Sequence, residues 1–185
     1  MNDRTTRPEA REELRGLLSG TIRTGTITLA SGRTTDFYLD GRLVTLDPRG
    51  LALVARLAHE RLAGRADAVG GPTSGADPLV AGIGLESLAA GRPLRTFFTR
   101  KEVKGHGMGR RIEGPPLAAG DRVFIVDDVA TSGGSLLQSA RVVAEDTEAR
   151  VVGALVIVDR QEGAGEALAA AGIPLEALFV KGDFL

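Results

Sequence analysis

The sequence predicts an α/β fold with a central, mainly parallel sheet flanked by helices. Three observations predict it. Short apolar runs suited to strands alternate with stretches of helical spacing over most of the chain. Glycine-rich turns follow the apolar runs. And 185 residues, 43% hydrophobic and 25% charged, suit one domain that buries a core without disulfide or metal staples. Strand–helix alternation implies βαβ units with right-handed crossovers, and ligands at the carboxyl edge of the sheet.

Taken in order, residues 8–19 read as a helix with Leu14, Leu17 and Leu18 on one face. Residues 20–36, rich in Gly, Thr and Ser, read as loop with short extended pieces, and 36–40 alternates polar and apolar as a short strand. Pro48 opens a helix over 48–62, with Leu51, Leu53, Val54, Leu57, Ala58 and Leu62 at helical spacing. A strand at 66–70, a turn at 71–75, a helix at 76–90 and a strand at 94–99 follow. Residues 100–120 are polar and glycine-rich. Then come a buried strand at 122–127, a turn at 128–134, a helix at 135–145, a strand at 150–158, a helix at 163–171 and an extended piece at 175–180.

Composition narrows the chemistry. The chain has no cysteine, which excludes disulfides, zinc–thiolate sites, iron–sulfur clusters and a cysteine nucleophile. With only His59 and His106, a multi-histidine metal site is excluded too. Net charge is −1, so no nucleic-acid partner is expected. No apolar run is long enough to span a membrane and Met1 to Arg15 lacks a signal core, which makes a cytoplasmic protein without membrane contact the default. Glycine is 25 of 185, nearly twice the usual share of about 7%. Of the 23 basic residues only three are lysines, and Lys101 and Lys104 sit close together.

The segment 123–135, VFIVDDVATSGGS, ends an apolar run in two carboxylates, Asp127 and Asp128. Val129 and Ala130 lead into Thr131, Ser132, Gly133, Gly134 and Ser135 at the start of a helix. Loop amides, hydroxyls and the positive end of a helix suit a phosphate. Carboxylates beside a phosphate suit hydroxyl donors, so the segment reads as a ribose-phosphate site. A strand end with Ser135 as a plain helix cap is the alternative. Magnesium-dependent nucleotide hydrolysis would need a G-x-x-x-x-G-K-[ST] loop, and none is present.

The segment 100–114, RKEVKGHGMGRRIEG, sets Arg100, Lys101, Lys104, Arg110 and Arg111 against Glu102 over residues 100–111. A glycine-rich cationic loop suits closure over a polyanion, with His106 as a proton or hydrogen-bond donor. A solvated surface loop is the alternative. Thr73, Ser74 and Gly75, within GPTSGADP after the 66–70 strand, offer backbone amides to a second anion or form a plain tight turn. Phe37 and Tyr38 stack on a planar ring or, for Phe37, pack in the core. Arg160, in DRQEG at the end of the 150–158 strand, suits an anionic base.

The 123–135 segment resembles the phosphoribosyl-pyrophosphate signature of the type I phosphoribosyltransferases. The order R-K-x-x-K-x-H-G at 100–107 resembles the loop of the orotate phosphoribosyltransferases among them, as do TLASGR at 28–33 and DRQEG at 159–163. Residue 30 is alanine where many members have a substrate-contacting lysine.

The resemblance implies the type I fold over 1–185, with a small hood built mainly from 1–45 plus part of the C-terminus and a mobile loop at 100–116. It implies transfer of the phosphoribosyl group to orotate, giving orotidine 5'-monophosphate and pyrophosphate, through an oxocarbenium-like transition state. Lys104, His106, Asp127 and Asp128 would be catalytic. Arg100, Lys101, Lys104, His106 and residues 73–75 and 127–135 would bind the ribosyl donor, and Thr131, Arg160, Phe37 and Tyr38 the orotate. Mg²⁺ would be held mainly by substrate and water, in a homodimer whose 100–116 loop crosses the interface. A fused decarboxylase is not expected. Another base, or a regulator of the same fold without catalysis, are the competing readings.

Overall fold

The computed structural model describes residues 7–28, 32, 34–100 and 111–185. Helix α1, Arg7–Ser19, buries Ala10, Leu14 and Leu18, a stripe at i, i+4 and i+8. Leu17, expected on that face, lies at its edge and is partly exposed. Strands β1, Ile22–Thr28, and β2, Thr34–Leu39, pair antiparallel as a separate two-stranded sheet, with an irregular register between Thr24 and Ile27. The first was expected only as loop with extended pieces. Its burial does not alternate cleanly, because both faces are largely open to solvent.

A short helix α2, Arg42–Thr45, precedes α3, Pro48–Leu62, which starts where the sequence places it. Asp47 caps α3 by accepting from the Gly50 amide (2.8 Å), and Pro48 occupies the first turn. Then follow β3 (Ala68–Pro72), α4 (Asp77–Ala89), β4 (Arg95–Thr99), β5 (Ile112–Glu113), β6 (Arg122–Ala130), α5 (Gly134–Asp146), β7 (Arg150–Asp159), α6 (Ala164–Ala170) and β8 (Leu175–Val180). A 3₁₀ turn, Lys181–Phe184, follows β8. Strand β6 runs past Asp127 to Ala130, three residues beyond the expected end, because Val129 and Ala130 keep pairing with Val158 and Asp159 of β7.

The main sheet has the order β5-β4-β3-β6-β7-β8. All neighbours are parallel except β4 and the two-residue β5. Side chains of β6 part to the two faces with period two. Phe124 and Val126 join a core with α1, α3, α4 and Phe37 of β2, while Val123 and Ile125 join a second core with α5 and α6. A sheet covered on both faces explains why β3 is buried at every position and why β6 opens as an unbroken apolar run. The small sheet is tied to the end of the chain by Lys181, whose ammonium donates to Asp36 (2.8 Å) and lies over the Phe37 ring. No described helix is long and apolar enough to cross a membrane.

Candidate active site

From β3 the chain moves outward to β4, and then returns to the other side of β3 as β6. The strand order reverses between β3 and β6, so the loops leaving their carboxyl ends diverge and open a crevice. A cleft of about 370 Å³ lies there. Thr73, Ser74 and Gly75 line it from β3, and Asp127, Asp128, Val129, Thr131 and Ser135 from β6 and the start of α5. Arg160 joins from the end of β7 and Tyr38 from β2. Four segments separated in sequence thus meet at one place. The Thr73–Ser74 peptide is cis.

The carboxylates of Asp127 and Asp128 are held by short-range hydrogen bonds. The Asp127 carboxylate accepts from the Ser135 hydroxyl (2.9 Å) and the Asp128 amide (3.0 Å). That of Asp128 accepts from the Val129 amide (2.8 Å). Burial pushes the Asp127 carboxyl up to about 7, and the adjacent charge of Asp128 adds to the rise. Asp128 is raised too, again chiefly by burial. Two costly carboxylates at the floor of a cleft favour a ligand rich in hydroxyl donors.

Gly75 shows how closely the loop after β3 approaches this pair. A Cβ there would stand 2.9 Å from an oxygen of each carboxylate. Gly41, on the other wall, would place a Cβ 2.8 Å from the Asp128 carboxylate. Next to it Asp40 and Arg42 also line the cleft. Arg42 donates to the Asp40 carboxylate from Nε and Nη2, both at 2.9 Å, and holds that carboxyl below its ordinary range. Sequence reasoning passed over Asp40, Gly41 and Arg42. The signal was there, a charged DGR turn closing the strand that carries Phe37 and Tyr38.

Arg160 is 8% exposed and ordered by its neighbours. Its Nη2 donates to Thr35 Oγ1 and Glu162 Oε1, both at 2.7 Å, and its Nε to Glu162 Oε1. Its Nη1 has no hydrogen-bond partner among the described residues and remains available to a ligand. Gln161 follows with φ of 57°, a conformation that side chains other than glycine seldom adopt and that marks functional turns.

Three expectations need correction. Phe37 is fully buried in the core beneath Arg160 and Lys181, and Tyr38 is the aromatic at the cleft. The Ser135 hydroxyl is engaged with Asp127, which leaves its backbone amide, in the first turn of α5, for an anion. Arg111 is not one of the loop's available cations. Its guanidinium spans Asp146 and Glu145 on α5, and its carbonyl accepts from the Arg100 amide (2.8 Å). Arg100 itself donates to Glu113 (3.0 Å) and lies over Phe98, at the root of the segment. Ala130, Ser132, Gly133 and Gly134 belong to the same strand–loop–helix but are not among the residues lining the cleft. Lys101, Lys104, His106, Leu29, Ala30, Ser31 and Arg33 lie outside the described residues.

Comparison with known proteins agrees with this geometry. Residues 44–171 match the family model described as the phosphoribosyl transferase domain. The chain is 46% identical over 178 residues to the orotate phosphoribosyltransferase of Thermosynechococcus vestitus, covering 95% of this chain and 93% of that one. It is 41% identical to the Corynebacterium glutamicum orotate phosphoribosyltransferase, covering 99% and 98%. The crystal structure of the Mycobacterium tuberculosis orotate phosphoribosyltransferase in complex with 5-phospho-α-D-ribosyl 1-diphosphate superposes with a TM-score of 0.78 at 36% identity, over 95% of this chain and 98% of that one.

Proposed function

This chain belongs to the phosphoribosyltransferase family, and from that premise we infer that it transfers the 5-phosphoribosyl group of phosphoribosyl pyrophosphate to orotate. The products are orotidine 5'-monophosphate and pyrophosphate, in the de novo route to UMP. One observation carries the assignment of the cleft to this reaction. The paired carboxylates, the 131–135 loop, the 73–75 loop and Arg160 converge at the strand-order switch, the place where an α/β sheet binds ligands.

The roles follow from what each group offers. Asp127 and Asp128 accept hydrogen bonds from the ribose hydroxyls, and hydroxyl donors ease the burial of two charges. Their negative charge favours the positive character that the ring gains as the anomeric C–O bond breaks. The Thr131 to Ser135 amides and the hydroxyls of Thr131 and Ser132 hold the 5-phosphate at the start of α5, and that remote binding orients the reacting carbon. Amides of Ser74 and Gly75 face the diphosphate, while that of Thr73, expected to join them, donates to the Thr99 carbonyl (3.1 Å). Arg160 Nη1 takes an anionic oxygen of orotate and Tyr38 packs on its ring. The bond to the leaving oxygen gives its electron pair to pyrophosphate, and a ring nitrogen of orotate, losing its proton, bonds the freed carbon.

We assign to Lys101, Lys104 and His106 the neutralisation and protonation of the departing diphosphate, with Arg100 at the root of the same segment. Cations aimed at charge that develops in the transition state are the largest catalytic term available here. No group of three or more metal-ligating side chains occurs among the described residues, and magnesium characteristically binds one or two carboxylates plus substrate phosphates. Asp127 and Asp128 would be the carboxylates nearest the substrate phosphates to help hold Mg²⁺, which would supply charge neutralisation of the diphosphate.

The two-stranded sheet that carries Tyr38 forms the hood, and residues 100–110 the closing loop, shorter than the expected 100–116 because Arg111 is held by α5 and 112–113 pair with β4. The active unit is a cytoplasmic homodimer in which that loop serves the partner's cleft. The exposed Leu43 and Leu46, on α2 and just after it, support an apolar contact there. An assay of orotate absorbance tests the whole reading. Consumption must require both phosphoribosyl pyrophosphate and Mg²⁺, and binding of the donor without consumption of any base would replace catalysis with a regulatory role.

A further inference from the structure

A second and larger cavity, about 590 Å³, opens at the opposite edge of the sheet, where β3 and β6 begin. Arg92, Arg95 and Arg122 line it together with His59, Asp67 and Asp121. Pro93, Leu94, Ala63 and Ala66 supply its apolar surface.

The charges do not cancel. Arg122 grips Asp67 with Nε and Nη2, both at 2.9 Å, and Arg95 bonds Asp121 through Nη1 at 2.5 Å. The side chain of Arg92 has no hydrogen bond or ion pair among the described residues. Three guanidinium groups face two carboxylates, which leaves one positive charge. Arg95 also keeps nitrogen donors beyond the one bound to Asp121. Arg122 is fully engaged, since its Nη1 also donates to the Gly64 carbonyl (3.0 Å), so the donors open to a ligand are those of Arg92 and the rest of Arg95.

His59 is the second observation. It is 6% exposed, and its Nε2 is buried with no hydrogen-bond partner. Nε2 itself is closed off from the cavity, but His59 lines its wall and so reports on what fills it. Nothing in the phosphoribosyl reaction uses these residues.

We propose that this cavity is a binding site for a phosphate monoester carried on a nucleoside-sized body. The excess arginine charge takes the phosphate, for which the planar guanidinium is suited. The proline, leucine and alanines cover the body. The volume falls within the range of small-molecule sites, about 300–1,000 Å³, and exceeds the needs of a lone phosphate. The site does not depend on the assigned reaction, since its residues share no wall with the catalytic cleft.

The two-histidine composition makes the test direct, because only His59 and His106 contribute imidazole resonances. Histidine-labelled full-length protein is titrated with adenosine 5'-monophosphate and, separately, with inorganic phosphate, at ionic strength matched with chloride. The His106→Asn variant identifies the His59 signal. Saturable movement of the His59 resonances with adenosine 5'-monophosphate below 1 mM is expected, with at least tenfold weaker binding of phosphate. Arg92→Ala, at an exposed residue, should weaken the nucleotide at least fivefold and leave the KM for phosphoribosyl pyrophosphate within twofold. Unmoved His59 resonances, equal binding of both probes, or unaltered binding in Arg92→Ala would each overturn the site.

Discussion

Replacing Asp127 with asparagine should make the ligand-free protein more stable while it abolishes turnover. The Asp127 carboxyl stands at about 7 against an ordinary 3.8, because it is buried beside Asp128. Below the ordinary value both folded and unfolded chains hold the proton, and no penalty exists. Between 3.8 and about 7 the unfolded chain ionises while the folded one resists, so stability falls as pH rises, and above 7 the loss is complete. At about 1.4 kcal/mol per unit the ceiling is about 4 kcal/mol at pH 8. Asparagine removes the charge and retains an oxygen for the Ser135 hydroxyl, but places an amide where a second carboxylate oxygen stood. A net gain of about 2 kcal/mol remains, which for a chain of this size raises Tm by about 4–8 °C. Calorimetry of parent and variant without ligands, at pH 8 and pH 5, measures it. The gain at pH 5 should be less than half of that at pH 8, and orotate consumption should fall at least about 100-fold. A variant that melts at or below the parent at pH 8, or gains equally at both pH values, refutes the reasoning.

Four further outcomes are expected. Lys104→Ala lowers kcat by about 10²–10³, the scale for one donor to a transition state, and turnover within threefold of the parent removes Lys104 from the mechanism. Mixing a Lys104→Ala subunit with an Asp128→Ala subunit restores about a quarter of parental activity, since half the random dimers then hold one intact site of two, and no recovery counts against a shared site. Arg160→Lys raises the KM for orotate at least about tenfold, because an ammonium cannot both keep the Glu162 and Thr35 contacts and reach the base, and an unchanged KM moves the base elsewhere. Gly75→Ala pushes a methyl group against both cleft carboxylates and should cut kcat/KM by about 10-fold or more with a Tm change of a few degrees at most, and full activity would show that the loop yields.

Much of the fold and site was legible because its signals are local. The run Val123 to Val126 announces a strand covered on both faces, and the acids, hydroxyls and glycines behind it announce a ligand wherever that strand ends. Even so the strand extends to Ala130, since the partner β7 decides where pairing stops. Contacts between distant segments hid the rest. Arg111 looked like one more loop cation until Glu145 and Asp146, more than thirty residues away, took it up. Whether Phe37 stacks on a ligand or packs in the core stayed open on sequence, and the pleat of β2 sends it into the core and Tyr38 to the cleft. Strand β1 carries no clear alternation because its own residues are largely wet, while its partner β2 supplies the side chains that reach the core. Asp40 and Arg42 had to be seen beside Asp128 before a common turn acquired a purpose.

The ion pair between Lys181 and Asp36 has a practical side. The Lys181 side chain is only 20% exposed, and its amine is already committed. Apart from the chain's own terminus, the other primary amines are Lys101 and Lys104, because arginine carries the remaining positive charge. Acylating reagents applied to the whole protein are thus directed by composition to one short stretch. Intact-mass spectrometry with and without the ribosyl donor then reports protection of that stretch without any engineered tag.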